Sequence, residues 1–349
     1  MLELDGLWVA HAAEGDLHQR FLEPGFDDHD WLKAAVPAHW RSIPEFSDSD
    51  GPLLYRHRFE EPAPATDRRR FLVLEGVFYY ADVWLDGGYL GATEGYFTAH
   101  AFDVTGPVSD RSEHVLAVEV ACPRQTDRGA KRLVTGVFSH WDCLDSEWNP
   151  GGIWQPVRMV ETGPVRIETA RAICTEANEG RGRIRLDLTL DAAPPDGGPL
   201  DVGLRVRVRG HGVELEVTRD EQLAGGANHR EVLLEVDRPP LWWPRRLGDQ
   251  PLVDVEVVVD VEGQRSDARN LRTAFREIRL EDWTFHVNGE RLYVMGANHG
   301  PTRMDLAEAS ADDLRRDVSL AVEANLDMLR VHAHVTRREF YDAADEAGL

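Results

Sequence analysis

Between residues 53 and 277 the chain is written almost entirely in a period of two. Runs such as LLYRHRF (53–59), DVWLDGGYLG (82–91) and HVLAVEV (114–120) alternate apolar and polar residues and are broken by Gly, Asp and Pro. That is the pattern of half-buried antiparallel strands. Asp86-Gly87-Gly88 marks a tight hairpin, because glycine accepts the positive φ such turns need. From 166 to 277 the runs lengthen to RIRLDLTL (183–190), DVGLRVRVRG (201–210), EVLLEV (231–236) and LVDVEVVVDV (252–261), with DAAPPDGGP (191–199) as an internal loop. About seven such strands in roughly 110 residues predict an immunoglobulin-like sandwich. Arg205, Arg207 and Arg209 fall on one face of their strand, and a solvated charged face is the expected use of that stripe.

After residue 277 the grammar changes from all-β to β-α-β-α. RLYVMGAN (291–298) reads as a buried strand and LDMLRVHAH (326–334) as a second. Between them, Ser310-Ala-Asp-Asp313 is a capping-box-like start for a helix with Leu314, Val318, Ala321 and Val322 on one face. Thr336-Arg-Arg-Glu339 opens another, which is expected to bury Phe340, Tyr341 and Ala344 and to stop at Gly348. Strand and helix units repeating at this spacing need parallel strands, as in a (β/α)8 TIM barrel, of which 278–349 would hold the first two units. The expected chain is therefore mainly β and multidomain. Jelly-roll strands occupy 1–165, the sandwich 166–277, and a truncated barrel start 278–349.

Composition narrows the function classes. No run approaches the roughly 18 apolar residues of a membrane span, and the first residues, MLELDGLWVAHAAEGD, have neither the positive start nor the apolar stretch of a secretory signal. The expected location is cytoplasmic. Cys122, Cys143 and Cys174 are odd in number and widely spaced, so neither a disulfide framework nor a zinc cluster is implied, and no cofactor is expected. Lys+Arg 39 against Asp+Glu 62 gives a net charge of −23, and Lys33 and Lys131 are the only lysines. Such a surface repels nucleic acid and anionic lipid, so neither is an expected partner; an oligomer is compatible with the sequence.

The strands, sandwich and barrel start, in that order, invite comparison with a family. GPLLYRHRFE, LEGVFYYADVWLDGGYLGATEGYFTAHAFDVT and NPGGIWQPVRMVETGPVRI resemble the galactose-binding-like, sugar-binding domain of glycoside hydrolase family 2. FHVNGERLYVMGANHGP and NLDMLRVHAHVTRREFYDAADEAGL resemble its first two barrel strands. Within the family, LWWPRRLGDQPL (241–252) and the GAN form of the first strand are most similar to β-mannosidase-like members and the related exo-glucosaminidases. The departures are Met295 in place of a basic residue, His332-Ala333-His334-Val335 in place of an aromatic-glycine run, and Trp141-Asp142-Cys143 in place of Trp-Asp-Trp.

The resemblance implies a retaining, exo-acting glycosidase cleaving terminal β-linked sugars. Such enzymes use two glutamates about 5–5.5 Å apart, which in this family sit on later barrel strands. No glutamate here matches either motif, and Glu339 and Glu346 fall on a helix outside the barrel, so no catalytic residue is assigned and the chain alone is expected to be inactive. Asn298 ends the first barrel strand, where barrel active sites lie, and is expected to bind sugar hydroxyls; its plain use would be a loop cap. Arg330, His332 and His334 alternate on the second strand and should share a face. If that face looks into the barrel mouth, Arg330 would hold a catalytic carboxylate ionised and in position, a role the resemblance supports because the family has an arginine at this point of the second strand. His332 joins the expected substrate contacts, though for both histidines a structural role stands level, and a metal lacks companion ligands. Asp142 and Trp141 lie in a loop that in β-mannosidase-like members reaches over the barrel to the outermost sugar. A carboxylate on an aromatic platform suits a pyranose, with Asp145 and Trp148 as alternatives and a domain-sealing loop as the plain use. Trp84, Trp154, Trp242, Trp243 and Trp283 are expected in cores. The competing class is a non-catalytic carbohydrate-binding or interaction protein built from the two β-domains.

The charge pattern carries its own test. If the acidic, lysine-poor surface suits a salt-rich, halophilic cytoplasm, the melting temperature should rise markedly from dilute buffer to molar KCl, where a Debye length of about 3 Å removes most self-repulsion. A salt-independent melting temperature would sink that reading.

Overall fold

Strand Leu53–Glu60 shows how the period of two is used, because its first four residues are all buried. Leu53 and Tyr55 enter the main core, while Leu54 belongs to a second cluster on the opposite side. A strand covered on both faces has to lie inside a sheet. In the computed structural model, which describes residues 1–124, 133–138 and 150–349, it is the third of six antiparallel strands. Their order is Leu32–Val36, Gly6–Ala12, Leu53–Glu60, Glu113–Ala121, Tyr80–Leu85 and Gly88–Glu94. A four-stranded sheet, Leu2–Glu3, Val157–Thr162, Arg69–Leu74 and His100–Asp103, faces it. Leu72, Leu74, Val157 and Met159 from this sheet join Trp8, Val83, Leu116 and Val118 from the other in one core. Asp86 (φ 51) and Gly87 (φ 83) close the hairpin between the last two strands of the larger sheet in the conformation its twist favours.

The outer cluster holds a buried cation. The Arg56 side chain is wholly buried; its Nε donates to Asp28 Oδ2 at 2.6 Å and its Nη1 to the Phe21 carbonyl, and the guanidinium lies 5.5 Å from the Phe26 ring centroid. Burial would raise the Asp28 pKa, but hydrogen bonds from Arg56 and Arg58 bring it below its ordinary value. Cys122 is a core residue whose thiol burial pushes up to about 12, so it is unreactive, and Cys174 is half-buried.

Two compact units divide the chain. One is Met1–Glu161 with Asn298–Asp313 and Val331–Arg337; the other is Thr162–Ala297 with Leu314–Arg330 and Arg338–Leu349. In the second, Val165–Ala177, Arg181–Ala192 and Gly226–Asp237 form one sheet, and Val213–Leu223, Leu200–Gly210, Val253–Val261 and Gln264–Thr273 the other. Ile184, Leu186, Leu188 and Leu190 meet Val202, Leu204, Val206 and Val208 between them, with Phe275 closing the end. The opposite face of Leu200–Gly210 carries Arg205, Arg207 and Arg209. Cross-strand carboxylates answer each: Asp260 to Arg205 at 3.5 Å, Glu216 and Glu256 to Arg207, and Glu214 to Arg209 at 3.8 Å. The stripe is a charge ladder across the sheet.

Residues 278–349 depart from expectation in four places. Ile278–Glu281, Thr284–Val287 and Glu290–Leu292 make a small antiparallel sheet whose turn, Asp282-Trp283, has φ of 46° and 63°. The turn puts Trp283 at a hairpin tip, 94% exposed, so it is not a core residue; Trp154 and Trp242 are buried, and Trp84 and Trp243 half-buried. The run 291–298 is not one buried strand. Its start pairs with Thr284–Val287, and Gly296–His299 pairs instead with Met328–Val331, so residues 293–295 pass between two sheets and Tyr293 is 79% exposed. The second strand stops at Val331, because Ala333 turns into the left-handed region (φ 47°). Tyr341 is 40% exposed, since it lies one residue round from the buried Phe340 on helix Arg338–Ala347. The preceding helix, Ala311–Glu323, begins with a reciprocal cap: Ser310 Oγ accepts the Asp313 N–H at 3.1 Å, and Asp313 Oδ2 accepts the Ser310 N–H at 3.0 Å. It ends at Asn325 in the left-handed region, with the Leu326 N–H on the Ala321 carbonyl at 3.0 Å.

Leu186→Ala should destabilise the sandwich by about 2–5 kcal/mol in a denaturant titration, as a fully buried leucine truncated in a packed core does. Arg207→Ala should leave the midpoint almost unmoved, because its partners stay hydrated. Equal effects would mean that the core has been assigned to the wrong face.

Candidate functional site

The segment LWWPRRLGDQPL has little regular structure of its own, and its side chains are spent on the strand and helix that follow. The Trp242 indole N–H donates to the Asp345 carbonyl at 2.8 Å, and the Arg276 guanidinium sits 4.5 Å from the Trp242 ring centroid. Arg245 donates from its backbone to Gly348 at 3.1 Å and from Nε to the Leu326 carbonyl at 3.1 Å. Arg246 grips Asp327 with two parallel bonds, Nε to Oδ1 at 2.6 Å and Nη2 to Oδ2 at 2.5 Å, and also donates to the Tyr293 carbonyl at 3.0 Å. The Asp327 side chain has no exposed surface, and its Oδ2 accepts the Met295 N–H at 3.0 Å, while its own N–H donates to the Met295 carbonyl at 2.7 Å. Arg330, three residues further on, is exposed.

In the first unit, residues 133–138 are fastened to the segment after Val331. The Val137 N–H donates to the Ala333 carbonyl at 2.7 Å. A Cβ at Gly136 would lie 1.8 Å from that oxygen, so only glycine allows the approach. Tyr96, stacked 4.4 Å from Phe78, accepts the Val335 N–H on its hydroxyl at 2.9 Å, and Phe138 meets His334 edge-on at 6.4 Å. The His332 N–H donates to the His299 carbonyl at 2.8 Å, and the His299 and His334 rings are 6.3 Å apart.

These contacts separate residues that the sequence placed on one face. His334 is only 8% exposed and His332 half-buried, because the turn at Ala333 ends the alternation. The His334 Nδ1 lies 3.0 Å from the His332 carbonyl, so it carries the proton, and Nε2 is a buried acceptor with no donor among the described residues. Burial first of all, with a further push from His299 and His332, lowers the His334 pKa and keeps the ring neutral. Asn298 is exposed. Trp141, Asp142, Asp145 and Trp148 lie outside the described residues. Among the described residues no cluster of three or more His, Cys, Asp or Glu could hold a metal ion. Arg246 and Asp327 escaped the sequence reading of the site. The signal was a lone acid inside the apolar run LDML, which on burial requires a cation.

Two models of known domains match more than half of the chain: a glycosyl hydrolase 2 galactose-binding domain-like model over residues 48–149 and a glycosyl hydrolases family 2 model over 165–276. The chain is 27% identical over 320 residues to β-mannosidase B of Aspergillus clavatus, covering 84% of this chain and 38% of that protein. It is 24% identical to an exo-β-D-glucosaminidase of Hypocrea jecorina, covering 85% and 33%. It thus spans well under half the length of these relatives. Among solved structures, Bacteroides uniformis β-glucuronidase superposes with a TM-score of 0.81 at 20% identity, over 100% of this chain and 41% of that one. The β-D-mannosidase of Dictyoglomus thermophilum gives 0.80 at 22%, over 99% and 46%.

The neutral His334 has a pH consequence. In the unfolded chain a histidine titrates near 6.5, and in the folded chain His334 titrates lower, so below about pH 6.5 the unfolded state binds the extra proton. Its contribution to stability is present above that pH and fades as the pH falls toward the folded value. His39, wholly buried and lowered by that burial to about 4, acts in the same direction. A His334 Cε1–H titration by NMR should show a midpoint below 6.5. A midpoint at or above the free value would remove the buried, neutral ring from the site.

Proposed function

Because this chain belongs to glycoside hydrolase family 2, we propose that it forms the N-terminal part of a retaining, exo-acting glycosidase of β-mannosidase type, acting on terminal β-linked sugars in carbohydrate metabolism. The reading divides it into a galactose-binding-like domain (1–165), an immunoglobulin-like domain (166–277) and the first two β/α units of a catalytic barrel (278–349). One observation carries it: Asn298 lies toward the end of strand Gly296–His299 and Arg330 toward the end of strand Met328–Val331, and each strand is followed by a helix. That is where a barrel presents its site.

Asn298 contributes a side-chain amide that both donates to and accepts from sugar hydroxyls. Arg330 supplies a permanent positive charge, which favours the ionised form of a neighbouring carboxylate and fixes its direction. His332 completes the proposed substrate contacts, together with Trp141 and Asp142, which lie outside the described residues. The acid/base and nucleophile are not assigned within these residues. Glu346 is held by Arg272 at 2.5 Å on helix Arg338–Ala347, and Glu339 shares that helix. Chemistry by two glutamates about 5–5.5 Å apart therefore requires groups from elsewhere in the enzyme.

Two assays test the reading. Residues 1–349 alone should hydrolyse aryl β-mannosides no faster than background, and measurable turnover would contradict it. In a chain extended through a complete barrel, Arg330→Ala should lower kcat by about 100-fold or more with little change in folding, and Asn298→Ala should lower kcat/KM by about tenfold or more. Near-normal kinetics in both variants would show that these strand ends do not face the sugar.

A further inference from the structure

We infer that Arg246 and Asp327 are a positioning pair that fixes the strand bearing Arg330, so that the segment after the sandwich sets the geometry of the sugar site without touching sugar. The inference rests on the proposed role of Arg330. Asp327 is three residues before Arg330, and its carboxylate is saturated from two directions: the Arg246 fork at 2.6 and 2.5 Å, and the Met295 N–H at 3.0 Å. The Asp327 N–H returns a bond to the Met295 carbonyl at 2.7 Å, so the chain at Met295 and the chain at Asp327 are locked by a closed ring of two hydrogen bonds. Arg246 also holds the Tyr293 carbonyl at 3.0 Å, two residues before Met295. One guanidinium thus grips both strand approaches, and its planar fork defines a direction as well as a distance. A carboxylate without exposed surface tolerates no loss of that partner, because an unpaired buried charge is driven to rehydrate or to move. Met328 and Leu329 are the only residues between the lock and Arg330, so slack at Asp327 is passed on to Arg330.

The test uses the 349-residue chain itself, with Arg246→Ala, Arg246→Lys and Asp327→Asn. Amide exchange at Met295 and Asp327 and the Arg330 Nε–H resonance are read beside amides of the sandwich strands Arg181–Ala192 and Val253–Val261. Arg246→Ala should speed exchange at Met295 and Asp327 by roughly tenfold or more and shift the Arg330 signal, leaving the sandwich amides unchanged. Asp327→Asn, which keeps an acceptor for the Met295 N–H, should fall between that variant and the parent, and Arg246→Lys should restore protection in part but not the Arg330 signal. Unchanged exchange and an unchanged Arg330 signal would overturn the inference. So would faster exchange spread evenly through the sandwich, which is the mark of a general stabilising contact. If Arg246→Ala does not fold, the same two outcomes are read from Arg246→Lys. A failure of sugar hydrolysis by the chain extended through a complete barrel would overturn the proposed function while leaving these signals in the 349-residue chain as they are.

Discussion

The bidentate contact between Arg246 and Asp327 is the constraint that ties the segment after the sandwich to the strand Met328–Val331. A carboxylate fully removed from water loses several kcal/mol of hydration, and only a close cation with further hydrogen bonds can offset that loss. Asp327 has both, and the cation comes from a segment with little regular structure of its own. The same segment anchors helix Arg338–Ala347 through Trp242 on the Asp345 carbonyl and Arg245 on the Gly348 carbonyl. Arg272 and Arg276 pair with Glu346 and Asp345 from the sandwich side. The segment between the sandwich and the helix Arg338–Ala347 is therefore a bracket made mostly of arginine, and arginine suits it because a guanidinium can hold a carboxylate and a backbone carbonyl together.

The first unit meets a different problem, which is to hold a chain that has left its strand. Ala333 adopts a left-handed backbone at a cost of order 1 kcal/mol for a residue with a Cβ. The turn exposes its carbonyl to the Val137 N–H, and Gly136 permits the approach. The Tyr96 hydroxyl accepts the N–H of Val335. His334 is carried inward by the same turn, against Phe138, and becomes a neutral, oriented ring. The alanine and histidine here are held by packing and hydrogen bonding from the residues around Gly136.

Charge follows the same logic on the sandwich surface. The net charge of −23 does not leave the arginines idle: Arg205, Arg207 and Arg209 are each opposed across the strand, as are Arg181 and Arg183 by Glu235. Exposed pairs of this kind contribute little singly, but their alternation with buried valines defines which side of each strand faces the core.

The period of two in the sequence was enough to specify a mainly β chain, the strands of the sandwich and its inward residues, because alternation on a half-buried sheet is a local property. The hairpin at Asp86-Gly87 and the two helix starts after Ser310 and Thr336 were equally legible, since turns and caps are set by a few adjacent residues. The resemblance carried Asn298 and Arg330 into view as candidate contacts. Local pattern failed wherever a distant partner decided the outcome. The run 291–298 looked like one strand, yet its two ends pair with different strands. Arg330, His332 and His334 kept a perfect alternation in sequence that the turn at Ala333 breaks. Trp283 looked like a core residue and stands at a hairpin tip. Asp327 had no visible role until Arg246, 81 positions earlier, was placed against it. Local sequence determines which segments are strands and helices and which faces they bury, because those depend on neighbours along the chain. Where a strand stops and which ion a buried acid finds depend on atoms brought together only by folding, and the tertiary structure alone decided them.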